Sequence, residues 1–345
     1  MMGSKVSSIV REITGSFADL GTLLPLLLGL IVCNGVGAGR ACVLLGITYI
    51  VVGAYYRVPV PVQPMKALAM IAITTGASTG QVRAAAYWMA VILLILGVTR
   101  LVDRLSDIFP RFLIHVLQLN LGIMMVRTGV KFLLSYPATV APGGQHVAGH
   151  GISSDILPSV SDFQVALLLL VIPQVPLTLG NAIVATRDCA VNYFGPRSAR
   201  VTPAGLAISM GAANAASAIC GGIPICHGAG GMTAHYRLGA RTGFACGVIG
   251  SLFLIVGVLE GESASALLSL MPAAVLGLLL AHAGIRHALL AQESFRSRTT
   301  ALVMLSSAVA GWFCGNLLIP LSVGLFTHFL MFGLSRVVWV GSRRI

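Results

Sequence analysis

The sequence predicts an all-α integral membrane protein of about twelve spans in two inverted repeats, with two short half-helices, each preceded by an extended segment, meeting at the bilayer midplane. Three observations predict it. The composition is 57% hydrophobic and 9% charged with a mean hydropathy of +0.92, so no polar shell could cover a soluble globule of 345 residues. Two apolar segments are broken by proline and glycine: Val58-Pro59-Val60-Pro61-Val62-Gln63-Pro64-Met65-Lys66 and Gly222-Ile223-Pro224-Ile225-Cys226-His227-Gly228-Ala229-Gly230-Gly231. They sit at matching places in two halves, because a shift of 163 carries Pro61 onto Pro224 and Gly76-Ala77 onto Gly239-Ala240.

Helices are the spanning element, since the apolar stretches contain Gly, Pro, Ser and Thr and lack the two-residue alternation of a barrel strand. The start, 1–17, is polar and carries no cleavable signal. The seven Cys residues form no C-x-x-C pair and read as small packing residues, with no metal site. The net charge of +12 sits at the ends of apolar segments, which marks topology and not a nucleic-acid partner.

Two of the apolar segments, about 61–75 and 223–235, are too short to cross as helices. With the N-terminus inside, the inner loops carry Arg100, Arg104, Arg111, Arg187, Arg197, Arg200, Arg237, Arg241, Arg286, Arg296, Arg298, Arg336, Arg343 and Arg344. The outer loops carry little beyond Arg40, Arg83, Arg127 and Lys131, with Glu260 and Glu262. This bias places both termini in the cytoplasm of a multi-pass protein of the cell (inner or plasma) membrane.

Five spans precede a polar connector at 135–161, so the second half starts from the opposite side and the repeat is inverted. Repeat one covers about 10–134 and repeat two about 162–345, within one transmembrane domain, 1–345. At a shift of 162, Phe109-Pro110 falls on Met271-Pro272, Gly122-Ile123 on Gly284-Ile285, and Asp19 on Asn181.

In each short segment, extended backbone enters the bilayer and a half-helix starts near the midplane with its free N–H groups aimed at the centre. Pro64 suits a first helical position, where its missing N–H has no partner to lose. The run Gly228-Ala229-Gly230-Gly231 lets backbone approach a ligand closely. Two such N-termini make an anion site, each worth roughly 0.3–2 kcal/mol by dipole alone. The charge inventory agrees: no carboxylate lies between Asp19 and Asp103 or between Asp188 and Glu260. Lys66, in the first turn of a half-helix, is disfavoured there unless something negative sits beside it.

Four strings carry a family resemblance: Phe17-Ala18-Asp19-Leu20-Gly21-Thr22-Leu23-Leu24-Pro25; Pro59-Val60-Pro61-Val62-Gln63-Pro64-Met65-Lys66-Ala67; Pro173-Gln174-Val175-Pro176-Leu177-Thr178 with Asn181; and Pro224-Ile225-Cys226-His227-Gly228-Ala229-Gly230-Gly231 followed by His235-Tyr236-Arg237-Leu238-Gly239-Ala240-Arg241. Over nearly its whole length the chain resembles the molybdate transporter family, a branch related to the sulfate permeases. The family's first motif usually begins Gly-Asp-Leu-Gly, whereas here Ala18 precedes Asp19. The resemblance implies molybdate uptake and a fold shared with sulfate permeases and uracil/xanthine transporters, in which a core domain slides against a gate domain. The span count of this sequence is lower than the fourteen of that wider fold, and, because the chain ends about ten residues after its last span, the soluble C-terminal domain that most sulfate permeases carry is not expected.

The expected ligands of the oxyanion are the amide of Gln63, the backbone N–H groups of Met65, Lys66, Gly228, Ala229 and Gly230, and the side chains of Lys66 and His227. The resemblance adds Thr22, Gln174, Thr178 and Asn181. Asp19, an intramembrane carboxylate, is the candidate coupling residue in a proton-coupled cycle, or else a partner for Lys66. Arg237 and Arg241 read as inside-positive anchors. His146 and His150 lack the glutamate of a zinc hydrolase, and the glycine cluster lacks the G-K-[ST] of a nucleotide loop. The function expected is therefore alternating-access import of molybdate without a cofactor, with sulfate or tungstate as competing substrates and a nucleobase transporter or anion channel of the same fold as alternatives. An enzyme would need a nucleophile with a base, or a metal cluster, within the spans. Pairing of two copies as a homodimer is left open by the sequence.

Overall fold

The computed structural model describes residues 2–105, 111–134, 157–260 and 272–341. Most of the expected connector, His146, His150, Phe109-Pro110, Met271, Glu262, Arg343 and Arg344 lie outside them. The described residues are mostly helical and include two short strands. In order come α1 (Met2–Ser16), α2 (Leu20–Asn34), α3 (Ala38–Tyr56), β1 (Gln63–Pro64), α4 (Lys66–Thr75), α5 (Thr79–Val98), α6 (Leu101–Leu105) and α7 (Arg111–Leu134). A long helical run, α8 (Val160–Ser198), opens the second half. It is followed by α9 (Pro203–Cys220), β2 (Ile225–Cys226), α10 (Ala229–Arg237), α11 (Phe244–Glu260), α12 (Ala273–Ala288), α13 (Arg298–Phe313) and α14 (Leu318–Gly341).

Among the described residues, seven helices are long and apolar enough to cross a bilayer, and the shorter apolar helices are Lys66–Thr75, Phe244–Leu259 and Leu318–Met331. The two broken segments become β1–α4 and β2–α10, and the second strand and half-helix follow the first at the spacing of the sequence repeat. The strands pair antiparallel with Gln63 opposite Cys226 and Pro64 opposite Ile225, so the chain enters the two half-helices in opposite directions. Pro64 therefore belongs to the strand, not to the first helical turn; Met65 is the N-cap and Lys66 opens α4. The reason is that Met65 N donates to Pro224 O at 2.9 Å, which extends the pairing by one residue.

Close packing is supplied by glycine seams. Gly46 and Gly53 on α3 face Gly250 and Gly243 at α11; a Cβ at Gly46 would lie 2.6 Å from Gly250 O, and one at Gly250 would lie 2.8 Å from Gly46 O. Gly257 meets Gly39 O in the same register. A second seam joins α7 to α12, where Gly122 faces Gly284 and Gly129 faces Gly277. Seven-residue spacing keeps each glycine on one face, and without side chains the backbones approach closely enough for dispersion to replace the hydrophobic drive that lipid does not provide.

In α8, Pro173 and Pro176 remove two N–H groups from the ladder, and π-helical turns form on both sides, at Ala166–Val171 and Thr178–Ala185. The equivalent place in the first half is an actual break, residues 17–19 between α1 and α2, with Asp19 at the N-cap position of α2 and its side chain making no cap hydrogen bond. Both irregularities flank the strand pair.

Candidate functional site

The core of the site is the strand pair, held by side chains that satisfy its outer edges. Asn214 on α9 accepts from Ile225 N at 3.0 Å and donates to Ile225 O at 2.7 Å, which fixes β2. His227 Nδ1 donates to Pro61 O at 2.8 Å, which leaves Nε2 to accept from the Ser209 hydroxyl at 2.8 Å. Ser209 in turn meets Tyr56 OH at 2.9 Å. Both ring nitrogens of His227, expected as ligands, are thus engaged within the protein, and the ring braces the segment leading into β1.

The two half-helix N-termini open on the same region. A Cβ on Gly228, the N-cap of α10, would lie 3.1 Å from Lys66 Nζ and 3.3 Å from Gln63 Oε1. Lys66 is 3% exposed, and no carboxylate lies within 4.0 Å of its ammonium among the described residues. A buried cation without a carboxylate in contact is costly by several kcal/mol, and the Asp19 charge reaches Lys66 only at longer range, so the arrangement favours an anion beside it.

The free donors differ in part from those expected. Met65 N is spent on Pro224 O, and Lys66 N faces only the Cys226 sulfur, a weak acceptor. Leu68 N donates to Gln174 Oε1 at 3.1 Å, while Gln174 Nε2 donates to Thr178 Oγ1 at 2.9 Å. Gln174 and Thr178 therefore close the first turn of α4 from α8. The amides of Ala67, Gly228, Ala229, Gly230 and Gly231 have no acceptor among the described residues.

Gln63 and Asp19 form the second feature. Gln63 Nε2 donates to Asp19 Oδ2 at 2.5 Å, so the donors expected to face an oxyanion are turned to a carboxylate, and Gln63 Oε1 is left buried without a partner. The pair lies against the first turn of α10, where a Cβ on Gly231 would come within 2.7 Å of Asp19 Oδ2. Gly230, by contrast, is exposed with nothing within 4 Å of the same position, and Gly21 and half-buried Thr22 lie on the open side of α2. Thr22 and Asn181 make no side-chain hydrogen bond among the described residues.

Arg237 ends α10 at the end away from the strands and Arg241 follows it, stacked 3.8 Å over the Tyr236 ring. Three positioning residues escaped the sequence reading: Asn214, Ser209 and Tyr56. Their signal was polarity alone, single hydrogen-bonding side chains inside apolar helices. No group of three or more metal-ligating side chains occurs among the described residues.

Crossing half-helices that start from a strand pair define an inverted-repeat membrane-transporter fold. The transmembrane domain of a cyanobacterium bicarbonate transporter, BicA, is similar, with a TM-score of 0.60 at 14% identity over 92% of this chain and 97% of that one. SLC26A9 is similar over 96% of this chain and 66% of its own, with a TM-score of 0.54 at 14% identity. A family model described as molybdate transporter of the MFS superfamily matches residues 11–125 and 166–286, and the chain belongs to this molybdate transporter family. Among its relatives are Molybdate transporter 2 of Arabidopsis thaliana, 26% identical over 89% of this chain and 86% of that protein, and Molybdate transporter 1 of the same plant, 25% identical over 90% and 88%. Molybdate transporter 1 of Chlamydomonas reinhardtii is 23% identical over 86% of each chain.

Proposed function

We propose that this protein imports molybdate by alternating access, binding the dianion between the N-termini of α4 and α10. The observation that carries the reading is Lys66: a buried ammonium without a carboxylate partner, beside the extended N-cap of α10 and its free amides. A tetrahedral oxyanion supplies the missing charge and accepts from amides of both half-helices. The relatives' names tilt the choice among oxyanions to molybdate over sulfate or tungstate. A nucleobase site would need an acid near the half-helices to read the ring N–H groups; Asp19, the carboxylate beside them among the described residues, is taken up by Gln63.

The same reading covers the organisation. Residues 1–345 form one transmembrane unit of about twelve spans in two repeats, about 10–134 and 162–345, with both termini cytoplasmic in a cell (inner or plasma) membrane. Helices α2–α5 and α8–α11 make the core that carries the site, and α7 with α12–α14 makes the gate it moves against. Asp19 couples a proton to the cycle. The protein works as a transporter, not an enzyme.

Calorimetry on purified protein tests the site. Molybdate binds the wild type in the presence of a large excess of sulfate, and Lys66→Ala weakens it at least tenfold, which corresponds to about 1.4 kcal/mol. Heat from sulfate or uracil and none from molybdate overturns the substrate; a Lys66→Ala variant that binds as well as wild type overturns the site.

A further inference from the structure

We infer that Gln63 is an amide rotor that couples protonation of Asp19 to binding of the anion. The inference rests on the oxyanion reading above and concerns how that site senses a proton.

The geometry allows only one orientation of Gln63 while Asp19 is ionised. A carboxylate only accepts, so the amide nitrogen must face it, as it does at 2.5 Å. The amide oxygen is thereby directed to the other side, where it lies beside Gly228 and the Lys66 ammonium, buried and unpaired. An acceptor lone pair pointing at an oxyanion site repels the oxyanion. A buried polar atom left without a partner is also unfavourable, so this state is poised to change.

Protonation reverses the arrangement. One proton from hydronium in the aqueous phase adds to an Asp19 carboxylate oxygen: an O–H bond of hydronium breaks, leaving water, and the carboxyl O–H forms. The new hydroxyl donates to Gln63 Oε1, which requires the amide to turn by about half a revolution about its last torsion, a soft two-fold rotation. Nε2 then faces the site and supplies a hydrogen bond to the anion. Both polar ends of Gln63 are satisfied in that state. Deprotonation runs the same steps backwards, returning the proton to water and turning an acceptor on the anion. Proton and anion therefore favour each other's binding reciprocally, as linkage demands.

The surroundings suit a carboxylate that gains and loses a proton. Asp19 is faced by His235 of α10 and Lys66 of α4, by Tyr49 of α3, and by Cys226 of β2 and Cys246 of α11. Neither His235 nor Lys66 forms an ion pair with it within 4.0 Å, so the carboxylate is not locked in its charged state. His235 Nδ1 donates to Gly15 O at 2.7 Å, which leaves its buried Nε2 without a partner. The carboxylate of Glu12 on α1 is taken by the amides of Arg241 and Thr242. On the gate side, His287 of α12 feels the charge of Lys66.

The test is molybdate calorimetry in buffers of different ionisation enthalpy, which counts protons taken up per anion bound. Wild type takes up protons on binding. Asp19→Asn mimics the protonated acid, because its amide can donate to Gln63 Oε1; it binds molybdate at least as tightly as wild type and takes up none. Gln63→Met keeps the Asp19 charge and removes the rotor; it binds at least tenfold more weakly and its proton uptake falls several-fold. Full proton uptake in Gln63→Met overturns the rotor, since Asp19 then acts by charge alone. An Asp19→Asn variant that binds tenfold more weakly overturns it too. Should Asp19→Asn fail to fold, Gln63→Met decides. Wild-type binding without proton uptake defeats the rotor and leaves the oxyanion site standing, whereas no molybdate binding at all defeats the oxyanion site itself.

Discussion

Asn214 grips both backbone groups of Ile225, accepting from its amide at 3.0 Å and donating to its carbonyl at 2.7 Å, in a position with no solvent exposure. A two-residue strand has too few ladder bonds to hold its own place, so this side chain substitutes for a third strand. Replacing it by Leu, close in volume, leaves an N–H and a C=O unpaired in the core, at roughly 1–3 kcal/mol each. Asn214→Leu is expected to lower the melting temperature in detergent and to weaken molybdate binding at least tenfold, because only His227 separates β2 from the N-cap of α10. Unchanged affinity in a folded Asn214→Leu protein would show that the placement of β2 does not matter to the site.

Gly231 and Gly230 give a matched pair of substitutions. A Cβ at Gly231 would press on Asp19 Oδ2 and Cγ at 2.7 and 2.8 Å, whereas one at Gly230 meets nothing within 4 Å. Both changes keep the backbone N–H. Gly231→Ala should push the Asp19–Gln63 pair off α10 and reduce uptake in proteoliposomes tenfold or more, with an overpacking cost of about 1–3 kcal/mol. Gly230→Ala should keep wild-type stability and most of the uptake. Equal effects of the two would place the Asp19 carboxylate elsewhere.

Much of this was legible before any coordinates. Paired proline and glycine breaks, read as extended segments followed by half-helices, became β1–α4 and β2–α10, because missing N–H groups and missing side chains act locally wherever they fall. Lys66 was legible for a related reason: a charge in a helix's first turn, far from a span end, needs a partner. What the residues around it do with their hydrogen bonds was not legible. Met65 N is consumed by Pro224 O, His227 by Pro61 and Ser209, and the Gln63 amide by Asp19, all contacts set by which elements meet in space. The glycine seams were hidden for a different reason. Gly46, Gly53, Gly243 and Gly250 have a visible seven-residue spacing, but the antiparallel register that pairs them crosses the two repeats.

That register gives a stability prediction independent of the site. A side chain at Gly46 would meet the backbone of α11, with Gly250 O and Leu254 N both at 2.6 Å, so no rotamer change relieves it. Gly46→Leu should therefore separate α3 from α11 and lower the melting temperature markedly, beyond the usual 1–3 kcal/mol of an overpacked core. Gly247→Ala on the same helix as Gly250, with nothing within 4 Å, serves as the control and should melt like wild type. A Gly46→Leu protein of wild-type stability would mean that the seam is not a packed interface in the membrane.

His227 poses the sharpest choice between bracing and binding. Its ring sits between Pro61 O and the Ser209 hydroxyl, edge-on to Tyr56 at 6.2 Å between ring centres, with no exposed surface. If it is a brace, its removal acts through the position of β1, and its effect is shared with its neighbours. His227→Ala is then expected to lower stability by about 1–3 kcal/mol, and Tyr56→Phe by about 0.5–1.5 kcal/mol. Their combination should fall short of the sum, because both break the same chain from Tyr56 through Ser209 to Pro61. Molybdate affinity should decline together with stability across the series. A ligand histidine behaves otherwise: affinity collapses in His227→Ala while melting stays near wild type, and Tyr56→Phe has no effect on binding. Thermal melts and calorimetry on the two single variants and the double variant separate these outcomes, and the second pattern would return His227 to the anion's first contacts.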